Sequence, residues 1–136
     1  MKLLFINGVN LNMTGKREKA VYGDQTLDEI NKEIAEHFKD VECEFFQSNI
    51  EGEICTKLQT SQCDGIILNA GAYSHYSYAI RDAIAAINIP VVEVHISNVY
   101  AREEFRRTSV ISAVCKGVVV GFGKLSYILA GESFRL

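Results

Sequence analysis

GIILNAGAYSHYSYAIRDAIAAINIPVVEVHIS, residues 65–97, decides the fold. Gly65 to Leu68 is an unbroken apolar run and Val91 to Val94 is apolar but for Glu93, as expected of strands covered on both faces. Between them Ala79, Ile80, Ala83, Ile84 and Ile87 recur on one helical stripe that stops before Pro90. A strand, a helix and a second strand in that order make a parallel crossover unit rather than a hairpin.

Outward from this unit the same alternation continues. Lys2 to Ile6, Val41 to Phe46 and Gly117 to Val120 read as three further strands, which makes five. Leu27, Ile30, Ile34 and Phe38 mark a helix between the first two strands, and Thr26 with Glu29 forms a capping box at its start. Ser48 and Glu51 repeat that pattern ahead of a helix over Glu51 to Leu58, and a last helix runs from about Lys124 to the C-terminus. No linker or internal repeat interrupts the series. The expectation is one α/β domain over residues 1–136, a doubly wound parallel five-stranded sheet of flavodoxin-like type. Such sheets bind ligands beyond the carboxyl ends of their strands, at the point where strand order reverses. Function is therefore sought in the strand-to-helix loops.

Three loops carry polar groups that a scaffold does not require. Asn7 to Gln25, NGVNLNMTGKREKAVYGDQ, is about nineteen residues long, where two to six are usual. Its Lys16, Arg17 and Lys19 precede an isolated Tyr22, so it is either a surface loop or a lid, about residues 8–25, that brings a cation and a phenol over an anion. NAGAYSHYS places Asn69 at a strand end and His75 near a helix start, a position that serves helix opening as readily as ligand binding. In EVHISN, Glu93, His95 and Ser97 alternate and share one side of the fourth strand. Three polar groups on a buried strand are costly, because each unpaired one loses roughly 1–3 kcal/mol, so they form either an internal network or a site. AREEFRR follows, with Arg102 and Arg106 spaced to share a helical face, as a solvated turn or an anion grip.

Composition removes several classes. Hydrophobic residues make up 48% and charged residues 23%, the balance of a globular chain. The net charge of −3, with no basic run, lacks the footprint of a nucleic-acid binder, and an anionic ligand must be held by local arginines. No apolar run reaches the roughly 20 residues a bilayer span needs and no signal-peptide layout opens the chain, so a cytoplasmic location is expected. Cys43, Cys55, Cys63 and Cys115 show no C-x-x-C pair and read as reduced thiols. His37, His75 and His95 are too scattered for a zinc motif, and the neutral Asn7 and Asn69 replace the acidic magnesium pocket of a phospho-receiver. GFGKLS, residues 121–126, lacks the Walker spacing because Val118 stands where the first glycine belongs, and reads as the opening of a helix.

Taken in order, these loops resemble the type II 3-dehydroquinate dehydratases over nearly the whole chain. The likeness rests on NG-NLN at Asn7 to Asn12, G-RE at Gly15 to Glu18, YG at Tyr22 and Gly23, FFQSN-EGE, NAGAYSHYS, AIRDA and VEVHISN--AREEFRR. The resemblance implies a shikimate-pathway enzyme of aromatic amino acid biosynthesis. It would eliminate water from 3-dehydroquinate in the anti sense through an enolate to give 3-dehydroshikimate, without metal, cofactor or Schiff base. It also implies a homododecamer, a tetramer of trimers, in the cytoplasm.

By the same resemblance Tyr22 is the base beside the ketone, Arg17 its supporting cation and His95 the acid for the departing hydroxyl. Glu93 would orient His95, a role that the strand alternation also suggests, and Asn10 would hold a water at the enolate oxygen. Asn69, His75, Ile96, Ser97 and Arg106 would bind substrate, with Asp82 reaching in from a neighbouring subunit and Arg102 clamping the lid or assisting Tyr22. An ordinary phenol is only about a thousandth ionised at neutral pH, a cost of roughly 4 kcal/mol, which is why a cation is needed.

Four positions depart from the residues commonest in that family: Val9 and Lys19 for proline, Ile50 and Tyr100 for histidine. None removes a proposed catalytic group. Without the two prolines the lid is expected to be less preorganised. Two competing readings are a flavodoxin-like binding module, opposed by the lack of a hydroxyl-rich phosphate loop after strand one, and a lyase or isomerase of another hydroxylated ring acid.

Overall fold

The apolar runs become five parallel strands in the order β2-β1-β3-β4-β5, over β1 Lys2–Asn7, β2 Glu42–Gln47, β3 Gly65–Asn69, β4 Val91–His95 and β5 Gly117–Val120. This computed structural model describes all 136 residues. The helices are α1 Lys19–Tyr22, α2 Leu27–His37, α3 Glu51–Thr60, α4 Tyr78–Ala85 and α5 Leu125–Glu132. The expected flavodoxin-like, doubly wound sheet is what forms.

Strand alternation divides the core into two layers. Leu3, Phe5, Ile67, Val92 and Val94 face α2 and α5, meeting Ile30, Ile34, Phe38, Tyr127 and Ala130. Leu4, Ile6, Ile66, Leu68 and Val91 face α3 and α4, meeting Ile54, Leu58, Ile80, Ala83 and Ile84. A sheet buried on both faces accounts for strands that read as largely apolar runs. Strand order reverses between β1 and β3, so Asn7 and Asn69 stand side by side at the switch point with the carboxyl end of β4 next to them.

The Thr26 and Glu29 capping box forms at α2, each side chain meeting the other residue's backbone N–H. The matching device at Ser48 and Glu51 does not form. Ile50 is the N-cap of α3, and Ser48 Oγ accepts from Ile50 N at 3.0 Å and donates to Glu53 at 2.5 Å instead. Helix α4 stops at Ala85, before Ile87, and Ala79 lies exposed off its buried stripe. Beyond β4 there is no continuous helix to align Arg102 with Arg106. Two 3-10 turns, Val99–Ala101 and Glu104–Arg107, flank Arg102 in an extended conformation. No helix is long and apolar enough to cross a membrane.

The long first loop is packed rather than open. It contains a 3-10 turn at Leu11–Met13 and the four-residue α1, with Leu11 and Thr14 buried beneath it. Its start is pressed onto the third loop: a Cβ on Gly8 would lie 2.5 Å from the Ala70 carbonyl oxygen, and Gly8 N–H donates to the Asn69 carbonyl at 2.7 Å. Its middle meets its far end at Gly15, where φ is +91° and an added Cβ would lie 2.8 Å from the Gln25 carbonyl oxygen.

Candidate active site

Above the switch point lies a pocket that brings ten of the twelve expected site residues together. The first loop supplies Asn10, Arg17 and Tyr22; the third supplies Asn69 and His75; β4 and the turns after it supply His95, Ile96, Ser97, Arg102 and Arg106. Glu93 sits behind His95, and Asp82 is exposed on α4, outside the pocket of its own chain.

The first loop places the Tyr22 phenol between two cations. Tyr22 Oη accepts from Arg17 Nη2 at 3.1 Å and from Arg102 Nη1 at 2.7 Å. Both guanidinium carbons also lie over the Tyr22 ring, 4.3 Å and 5.2 Å from its centroid. Arg102 is steered by Ser97 Oγ at 3.3 Å and by Glu18 at 3.2 Å, and Glu18 also lies 3.9 Å from Arg17. The first loop thus reaches the turns after β4 through side chains whose charges alternate: Arg17, Glu18, Arg102.

The opposite wall is held by the sheet. His95 Nε2–H donates to Glu93 at 2.5 Å, and Glu93 is fully buried. Ser109 Oγ donates to the same carboxylate at 2.9 Å, and Ser112 Oγ donates to its other oxygen. Burial resists ionisation of Glu93, but the hydrogen bonds from His95 and Ser112, the His95 charge and the Ser109 hydroxyl together hold its carboxyl below the ordinary range. The remaining His95 nitrogen, Nδ1, makes no hydrogen bond within the protein and is free to meet a ligand.

His75 stacks on His95 with ring centroids 6.2 Å apart, and its Nδ1–H donates to the Thr108 carbonyl at 2.8 Å. Burial, with His95 and Arg106 nearby, pushes its imidazole below the usual value despite that hydrogen bond, so His75 is neutral with Nε2 available as an acceptor. Asn69 is oriented from both ends: its Nδ2 donates to Tyr127 Oη at 2.9 Å and its Oδ1 accepts from Gly71 N at 3.1 Å. Tyr127 in turn donates to Asn7 Oδ1 at 2.5 Å. Asn10 takes the left-handed conformation at φ 67° and its N–H donates to Asn49 Oδ1 at 2.9 Å, which fastens the base of the first loop to the end of β2.

The structure adds residues to which motif reading gave no role. Glu18 links the two arginines, Tyr127 bridges the two strand-end asparagines, and Ser109 with Ser112 grips Glu93. The three-residue spacing of the two serines was a usable signal once a buried carboxylate was suspected. Tyr127 offered none, since an aromatic on an apolar helix reads as core.

The family model for class II dehydroquinase matches residues 1–135. The 3-dehydroquinate dehydratase of Pelodictyon phaeoclathratiforme is 57% identical over 95% of this chain and 88% of its own length. That of Thermotoga neapolitana is 53% identical over 99% and 94%. Among solved structures, the type II dehydroquinase from Butyrivibrio crossotus superposes with a TM-score of 0.97 at 48% identity, covering 100% of this chain and 98% of its own. The Propionibacterium acnes type II dehydroquinase gives 0.93 at 34% identity, covering 99% and 97%. A match that runs from end to end in sequence and in backbone means that this chain belongs to the class II dehydroquinase family.

Proposed function

We propose that this pocket dehydrates 3-dehydroquinate to 3-dehydroshikimate, the hydro-lyase step of the shikimate pathway, by two proton transfers from opposite walls. Tyr22, as phenolate, takes the proton beside the ketone and leaves an enolate. The enolate then expels the hydroxyl, which departs with a proton from His95. Elimination in the anti sense fits a base and an acid on different walls. Asn10 holds a water against the enolate oxygen, Glu93 orients His95, and Asn69, His75, Ile96, Ser97 and Arg106 hold the ring and its carboxylate.

The observation that carries this reading is the double hydrogen bond from Arg17 and Arg102 to Tyr22 Oη. A phenolate costs roughly 4 kcal/mol to form at neutral pH, and each charge-assisted hydrogen bond is worth roughly 1.5–3 kcal/mol. Two such bonds are of the size needed. Binding of a carboxylate falls to Arg106, whose Nε is held by Glu103 at 3.2 Å and whose guanidinium lies 4.7 Å from the Phe105 centroid.

As it stands the pocket encloses about 110 Å³, below the roughly 300–1,000 Å³ typical of small-molecule sites. Residues 8–25 therefore act as a lid that lifts for substrate and closes for chemistry. Asp82, exposed on α4, is read as serving a neighbouring subunit's pocket, within a dodecamer built as a tetramer of trimers. No cofactor or metal has a part in this scheme, and the enzyme works in the cytoplasm.

The test is to mix purified protein with 3-dehydroquinate and follow the ultraviolet absorbance of the conjugated product, with chelator and borohydride controls. Turnover unaffected by either control is expected. Absence of turnover overturns the assignment, and loss of activity with chelator or borohydride overturns the metal-free, imine-free mechanism.

A further inference from the structure

We propose that Ser109 and Ser112 are positioning residues that hold the Glu93 carboxylate ionised and aimed at His95. The inference deepens the reading of His95 as the acid and rests on it. Glu93 is fully buried, and a lone carboxylate in that position would take up a proton rather than stay charged. Both of its oxygens are engaged. Oε2 accepts from His95 at 2.5 Å and from Ser109 at 2.9 Å, while Oε1 accepts from Ser112.

The surroundings leave the serines as the principal support besides His95. The recess behind Glu93 is lined by Tyr100, Arg106 and Arg107 from the two turns after β4, and by Val118 and Val120 from β5. Neither arginine pairs with Glu93; Arg106 is engaged with Glu103. Burial, with the Glu93 charge nearby, pushes the Cys115 thiol up to about 12, which keeps it neutral, so it adds no charge. On the pocket side His95 faces His75 and Arg106, with Tyr22, Arg17 and Arg102 lining the same space. Ser109 is itself braced, since its Oγ accepts from Ile111 N at 3.3 Å, and Ser112 opens the 3-10 turn Ser112–Val114. The segment after the catalytic strand is thereby folded back to place two hydroxyls on one carboxylate.

Loss of a hydroxyl must raise the pH at which Glu93 protonates, because burial then meets weaker opposition. A protonated Glu93 no longer stabilises the imidazolium of His95, so the acid limb of kcat moves to higher pH. Substrate contacts are untouched, so KM changes little.

The experiment combines steady-state pH profiles with a carboxyl carbon NMR titration of Glu93 in Ser112→Ala, Ser109→Ala and Ser112→Thr, alone and in a Glu93→Gln background. Ser112→Ala is expected to lower kcat about tenfold, the size of one charge-assisted hydrogen bond, with KM within about twofold. Its acid limb and its Glu93 titration should both move up, and Ser112→Thr should restore them. In the Glu93→Gln background the serine changes should add less than about twofold, since the charge they serve is gone. Ser109→Ala gives a second reading if Ser112→Ala does not fold. An unmoved Glu93 titration in the single variants, or equal loss with and without the Glu93 carboxylate, overturns the proposal. Full activity in His95→Ala would instead overturn the reading of His95 as acid, while the NMR titration still decides what the serines do.

Discussion

The two walls of the pocket are built by different means. The β4 wall takes His95 and Glu93 from a strand hydrogen-bonded on both sides, with a buried carboxylate gripped by His95, Ser109 and Ser112. The opposite wall takes Tyr22 from a four-residue helix and Arg17 from the loop just before it, and joins the rest of the site through contacts of Tyr22 and Glu18 with Arg102. An acid needs a fixed partner to set its protonation, and a strand provides one. A base that must admit substrate and then close over it needs movable contacts, and a loop provides those.

Changes on the two walls should therefore fail in different ways. The largest effect is expected from Tyr22→Phe, which removes the proposed base and should lower kcat by about 10³–10⁴-fold with the fold intact by circular dichroism. Retention of even a tenth of the rate would place the base elsewhere. Arg17→Ala should lower kcat by about a hundredfold and leave Arg102 as the remaining donor to Tyr22. A measurable sharpening is that its defect should deepen with added salt, which screens the surviving partly exposed pair.

On the β4 wall the signature is stability as well as rate. Glu93→Ala removes the acceptor of two serines and a histidine, and should cost about 2–4 kcal/mol in urea unfolding besides its loss of activity. The folded carboxyl of Glu93 lies below the ordinary 4.5, so its contribution is present above that value and is lost as pH falls through the depressed one. Wild-type stability should accordingly fall with acid more steeply than that of Glu93→Gln, a comparison that unfolding curves between pH 7 and the acid limit can make. The smallest effect is expected from Val9→Pro at the lid base. It should lower KM a fewfold at most and slow amide exchange across residues 8–25, and unchanged exchange would mean the loop is already as ordered as a proline can make it.

The layered sheet was legible because its cause is local: strands covered on both faces must be largely apolar, and Ile66 to Leu68, with Val91, Val92 and Val94 around Glu93, follow that rule. The alternation of Glu93, His95 and Ser97 was legible for the same reason, since strand geometry alone puts them on one side. What escaped was set by contacts distant in sequence. Ser48 turned from capping α3 to meeting Glu53, a choice between two local bonds that spacing does not decide. Arg102 and Arg106 reach one pocket without sharing a helix, because two short turns separated by two extended residues do the same work. Tyr127 bonds Asn7 across 120 positions, and nothing near either residue announces it. Asp82 is exposed on α4, and only sequence likeness connects it with a neighbouring subunit's pocket.

The central claim is that the base resides in the lid and the acid on the sheet, and hydrogen exchange separates the two. In deuterated buffer His95→Ala should incorporate deuterium beside the ketone of 3-dehydroquinate above the buffer rate, because Tyr22 still forms the enolate, yet release little product. Tyr22→Phe should show neither exchange nor product. Exchange at the wild-type rate in Tyr22→Phe, with none in His95→Ala, would contradict the assignment of both walls.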